Sequence, residues 1–133
     1  MPSPSKPAPE SVLSQRALNR ALLERQMLLR RAKLPIPDAV EHLVGLQAQS
    51  PSAPYVGLWS RLEGFRFDDL SGLIECRALV RIALMRSTIH LVTADDCLTL
   101  RPVIQPVLER GVRGTYGRRL QGMDAAELAA AGS

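Results

Sequence analysis

The sequence predicts a mainly helical α+β fold in which helices come first and a β-hairpin follows. Three observations carry that expectation. Apolar residues recur at helical spacing from about Leu18 to Glu75. The period then shortens to two: Val80, Ile82 and Leu84 alternate with Arg81, Ala83 and Met85, and Thr88, His90 and Val92 alternate with Ile89 and Leu91. Finally, 46% of the 133 residues are hydrophobic, which is enough to bury one core.

Taken in order, residues 1–13 read as a disordered leader. Pro2, Pro4, Pro7 and Pro9 among serines favour extended, solvated backbone and leave nothing to bury. Ser14 is placed to cap a helix from Gln15 to about Ala32, with Leu18, Leu22 and Leu29 on one face. Pro35 and Pro37 punctuate the next join, and Asp38 falls in the first turn of a second helix, where its charge suits the helix dipole. Val40, Leu43, Val44 and Leu46 form that helix's apolar stripe. The run carries the chain to Gln47-Ala48-Gln49, and Pro51 biases the residue before it out of helix. Two neutral amides are therefore expected at a helix end or in the turn that follows.

A third helix is expected from Ala53 or Pro54, with Tyr55, Leu58, Trp59 and Leu62 at helical spacing and Gly64 closing it. A short helix over Asp68–Glu75 turns Leu70, Leu73 and Ile74 inward. Two strands then meet across a two-residue turn at Arg86-Ser87. Thr93 caps a further helix whose first turn holds Asp95 and Asp96. Pro102 and Pro106 predict a kinked helix or two short ones ending near Arg110, after which Gly111, Gly114 and Gly117 loosen the chain. An alanine-rich helix over Asp124–Ala130 closes the reading. Three helices followed by a hairpin is the order of a winged helix-turn-helix module. The expected layout is a leader to residue 13, that module over 14–110, and a linker with the start of a further helical module over 111–133.

Composition narrows the functional classes. The net charge of +4 comes from arginine, since Lys6 and Lys33 are the only lysines. Arginine's planar fork suits phosphate. A basic balance is thus compatible with a nucleic-acid surface and argues mildly against a helical interaction domain with no nucleic acid. Cys76 and Cys97 lack metal-ligand spacing, and His42 and His90 lie far from either in sequence, so no metal or other cofactor is expected. Reduced thiols fit a cytoplasmic protein. No apolar run approaches the ~20 residues of a membrane helix. Asp95-Asp96 reads as helix-start chemistry, and the three spaced glycines lack the strand-then-helix setting of a dinucleotide site.

Four stretches, in order, resemble a known family. They are Leu18-Asn19-Arg20 with Arg25-Gln26, Gly45-Leu46-Gln47-Ala48-Gln49, Leu58-Trp59-Ser60-Arg61-Leu62, and Met85-Arg86-Ser87-Thr88-Ile89-His90-Leu91. Together they look like the bacterial winged-helix DNA-binding-domain family that includes the AlkZ/YcaQ-type DNA glycosylases. Those enzymes remove bulky alkylated bases and unhook interstrand crosslinks. The resemblance covers about residues 15 to 110. It implies tandem winged-helix modules and a β-barrel in a longer chain, so this sequence reads as an N-terminal fragment of a tandem winged-helix protein. One departure is Ser87, where the family usually has glycine, which bears on the tightness of the hairpin.

The resemblance also implies a site. Gln47-Ala48-Gln49 matches the family's Gln-aliphatic-Gln motif, making Gln47 and Gln49 the candidate catalytic pair. A cationic N7-alkyl purine needs little protonation to leave. What remains is to hold a water against the anomeric carbon and favour an oxocarbenium-like sugar, which two amide oxygens can do without titrating. The alternative is that both glutamines only finish a helix. Arg61, on the helix expected to face DNA, and Arg81, Arg86 and His90, on the hairpin, are the candidate DNA-binding residues. A solvated face for the arginines and a buried, backbone-satisfied histidine are their alternatives. Trp59 reads as core or module interface before base stacking. The expected function is that of a DNA-binding protein hydrolysing the N-glycosidic bond of bulky N-alkylated purines. A monomer acting on double-stranded DNA, alkylated or crosslinked, is expected, with no membrane partner. The alternative is a non-catalytic winged-helix DNA-binding module.

Overall fold

The computed structural model describes residues 12–118 together with Gly122 and Asp124. The expectations for residues 1–11 and for the alanine-rich stretch after Asp124 lie outside the described residues. Five helices and a small antiparallel sheet follow in the order α1 (Gln15–Arg25), α2 (Ile36–His42), β1 (Leu46–Gln47), α3 (Ala53–Trp59), α4 (Phe67–Glu75), β2 (Leu79–Ala83), β3 (Ile89–Thr93) and α5 (Ala94–Tyr116). The α+β class and the helices-then-hairpin order expected from periodicity are both present.

The helix starts obey their sequence signals. Ser14 Oγ accepts from the Ala17 amide at 3.2 Å, and Thr93 Oγ1 accepts from the Asp96 amide at 3.1 Å. Asp38, Asp68, Asp69, Asp95 and Asp96 occupy first turns, where carboxylates complement the dipole. The ends differ from expectation. Helix α1 stops at Arg25, seven residues short of Ala32, because Met27 turns left-handed (φ 55°) and buries its side chain in the core. Its closing bonds run from Met27 N–H to Glu24 O at 2.9 Å and from Leu28 N–H to Leu23 O at 2.8 Å. No residue of α1 is buried, and Leu18 and Leu22 stay about half exposed, so the expected stripe is not core.

Helix α2 stops in the same way. Val44 (φ 54°) and Gly45 (φ 93°) leave it, with Val44 N–H bonding Glu41 O at 2.8 Å and Gly45 N–H bonding Val40 O at 2.9 Å. Val44 is 50% exposed, so it too falls off its expected stripe. The Gln-Ala-Gln segment therefore does not end a helix. Leu46 and Gln47 form strand β1 instead, pairing with Leu91 and His90 of β3.

Strand β3 is central in the order β1-β3-β2, and β2 pairs with it from Leu79↔Thr93 to Ala83↔Ile89. Leu79, Leu91 and Ala48 lie on one face, where they join Ala39 and Val40 of α2, Leu58 of α3, Leu62 in the turn after α3, and Leu70 of α4 in one buried cluster. Each fully buried leucine there contributes about 1.5–3 kcal/mol. A parallel bridge between Ala32 and Leu62 ties the segment after α1 to the turn after α3.

The hairpin tip is a three-residue turn, Met85-Arg86-Ser87, closed by Leu84 N–H to Thr88 O at 3.0 Å, and not the expected two-residue turn. Arg86 (φ 54°) and Ser87 (φ 56°) are both left-handed. Such a tip adds one residue to the loop and asks for φ > 0 at its end, a position that favours glycine. Helix α5 runs unbroken through Pro102, Pro106, Gly111 and Gly114, where an interruption was expected. Docking on β2, β3 and the hairpin tip holds it. Arg101 bonds Ala83 O at 3.1 Å and Gln105 Oε1 at 2.9 Å, and Gln105 bonds Glu109 at 3.1 Å, a chain that spans both prolines' turns.

Candidate functional site

The expected catalytic pair sits at the edge of the sheet. Gln47 lies on β1 and Gln49 just beyond it, both exposed, with Ala48 fully buried between them. Ala48 anchors the segment through its main chain as well, since its N–H donates to Ile89 O at 2.7 Å. In an antiparallel ladder the reciprocal bond would run from Ile89 N–H to Ala48 O. Here the two groups part company. Ile89 N–H donates to Gln49 Oε1 at 3.1 Å, and Ala48 O accepts from Arg81 Nη2 at 2.8 Å. One glutamine side chain thus replaces a main-chain carbonyl, and an arginine from β2 reaches past β3 to satisfy the carbonyl so released.

Gln47 stands opposite His90. Because Ala48 and Ile89 mark a hydrogen-bonded position, Gln47 and His90 form the closer, non-hydrogen-bonded kind of pair, with side chains on one face. His90 is 5% exposed, and its Nδ1 lies 3.0 Å from Thr88 O. A carbonyl only accepts, so the Nδ1 facing Thr88 O carries a proton. The Gln47 carboxamide makes no hydrogen bond within the described residues, leaving both its ends open to a ligand.

The four candidate DNA-binding residues are dispersed. Arg86 stands exposed at the hairpin tip. Arg81 is exposed on β2 but commits Nη2 to Ala48. Arg61, just past α3, donates from Nε to Gln26 O at 2.8 Å and from Nη1 to Gly57 O at 2.8 Å. Burial lowers its pKa from the ordinary arginine value. His90 lies within the sheet. Helix α3 carries no charged side chain, and Trp59 at its end is half exposed, with the Arg31 guanidinium 4.4 Å above its ring. The structure brings Gln47, Gln49, Arg81 and His90 together around β3, with Arg86 at the end of the same hairpin, and leaves Arg61 on the helical side. The link from Arg81 to Ala48 carries no signal in the sequence, because a two-residue strand shows no periodicity. Among the described residues, no group of His, Cys, Asp and Glu could hold a metal, and no helix is long and apolar enough to cross a membrane.

Helices packed on a three-stranded antiparallel sheet, with a hairpin wing and a glutamine pair on and just past the edge strand, define a winged-helix-like α+β module. The family follows from residues 40–133, which match the model described as DNA glycosylase AlkZ-like; the chain belongs to that family. The fold is also that of a DNA glycosylase AlkZ from Streptomyces sahachiroi, with a TM-score of 0.56 and 20% identity over 83% of this chain. The match covers 26% of that protein, so this chain spans about a quarter of its length. No curated protein matches the chain.

Proposed function

We propose that this module serves a DNA glycosylase that hydrolyses the N-glycosidic bond of bulky N-alkylated purines in double-stranded DNA, with Gln47 and Gln49 placing the water. The observation that carries the reading is the pair of exposed carboxamides flanking the buried Ala48 at the end of the edge strand. Gln49 Oε1 is oriented by the Ile89 N–H and keeps a second lone pair, while Gln47 is unengaged. A fixed acceptor such as Gln49 Oε1 favours positive charge developing on a sugar without reorganising during the reaction.

In the reaction the water oxygen bonds to C1′ as the bond to the base nitrogen breaks. The bonding pair neutralises the cationic purine, which leaves as a neutral base. The proton shed by the water passes to solvent. Arg86, with its guanidinium free at the hairpin tip, is the phosphate contact this reading relies on first. Arg61, Arg81 and His90 offer what their internal bonds leave over.

One observation favours a second reading, a non-catalytic DNA-binding module: the bond from Gln49 to Ile89 is structural by itself. Excision of an N7-alkylguanine, measured alongside duplex affinity, separates the two. Gln47→Ala and Gln49→Ala are each expected to slow excision by at least ~100-fold with duplex affinity retained. Gln49→Ala is also expected to lose about 1 kcal/mol of stability with its Ile89 bond. If Gln49→Ala loses stability while excision is undiminished, or the wild type excises nothing, the non-catalytic reading stands.

A further inference from the structure

The exchange of partners beside β3 has a second half, and it concerns Arg81. On β2, Arg81 is the cross-strand partner of Leu91, which in turn pairs with Leu46 of β1. Cross-strand partners share a face, so the Arg81 side chain starts on the side that Leu46 and Ala48 share and runs across β3 to reach them. Its Nη2 meets Ala48 O at 2.8 Å, on the residue that separates the two candidate catalytic glutamines in the chain. Without it, that carbonyl would be left with neither its ladder partner nor a substitute, because Ile89 N–H is committed to Gln49. The arginine and the glutamine therefore complete one another: each satisfies the group that the other's bond displaces.

We propose that Arg81 is a positioning residue that acts through the Ala48 carbonyl to hold Gln47 and Gln49 at a set distance and angle from β3. This rests on the reading above that the two glutamines place the water. A charge-assisted bond to a carbonyl is stronger than a neutral one, and a planar guanidinium fixes direction as well as distance. Both properties suit a strut more than a mobile phosphate contact.

Two measurements on the wild type, Arg81→Met and Arg81→Lys test this. The first is the single-turnover excision rate at saturating protein, which removes any effect on affinity. The second is the exchange rate of the Ile89 amide in the protein alone, which reports the bond to Gln49 without requiring activity. Arg81→Met is expected to slow saturating excision at least ~10-fold and to speed Ile89 exchange by a similar factor. Arg81→Lys keeps the charge and much of the stem, guards against a failure to fold, and is expected to fall between the two in both readouts. A saturating rate within twofold of wild type, or an unchanged Ile89 exchange rate, overturns the proposal. So does a loss confined to duplex affinity with a salt slope shallower by about one, the mark of a phosphate contact. If the wild type excises nothing, the proposed function fails by itself, and Ile89 exchange still decides whether Arg81 holds the segment.

Discussion

Arg61 joins two parts of the chain that no strand or helix connects. Its Nε meets Gln26 O in the turn after α1, and its Nη1 meets Gly57 O inside α3. The Ala32 amide adds a bond to Arg61 O at 2.7 Å, so main chain and side chain work on the same seam. Burial lowers the guanidinium pKa, yet the group remains a cation at any physiological pH. Lysine offers one ammonium and no fork, and cannot meet two carbonyls set apart in this way. Arg61→Lys is expected to cost about 1–2 kcal/mol in urea unfolding, with an unchanged m value and little change in duplex affinity. Unchanged stability with weakened binding would instead give Arg61 to DNA. In the sequence Arg61 is visible only as a positive charge. Which carbonyls an arginine meets depends on contacts between residues 35 positions apart, and no local pattern encodes them.

Three helices end on a residue in the left-handed region that is not glycine: Met27 after α1, Val44 after α2 and Arg77 after α4. This is why helix starts were readable from the sequence and helix ends were not. Ser14, Asp38 and Thr93 announce starts through chemistry specific to that position. A left-handed end is normally announced by glycine, and here Met27 pays its strain with burial in the core while Gly45 stands one position late. The missed ends had a further effect: running α2 too far hid β1, which exists only because β3 offers an open edge beside it. Val44 gives the clearest test, being β-branched, left-handed and half exposed. Val44→Gly removes a steric cost of about 1–2 kcal/mol while adding some unfolded-state entropy. A net gain of roughly 0.5–1 kcal/mol in stability is expected, measurable by urea unfolding. A loss would mean that the Val44 side chain is held by more than its surface contacts.

At the scale of the whole molecule, the main buried cluster lies between α2, α3, α4 and one face of the sheet, joined by Met27 and Leu62, while Val92 and Leu84 are buried outside it. The hairpin tip lies at the opposite end of β3 from α5's start, with α5 docked along it, and Arg86 stands exposed there. With a formal net charge of +4, duplex affinity should fall as salt rises, since each neutralised phosphate steepens log K against log salt by about 0.9. Arg86→Gln is expected to flatten that slope by about 0.9 while leaving saturating excision unchanged; an unaltered slope would remove the wing tip from the interface. Helix α3 answers a different kind of question. Trp59 is the chain's one tryptophan, half open to water beneath the Arg31 guanidinium. An indole's emission colour follows the polarity around it, and a cation lifted from its face alters its brightness. The fold has thus placed a single native fluorophore at the end of α3, so light alone, with no attached label, can tell whether an approaching molecule has displaced Arg31 and dried the ring or has docked elsewhere.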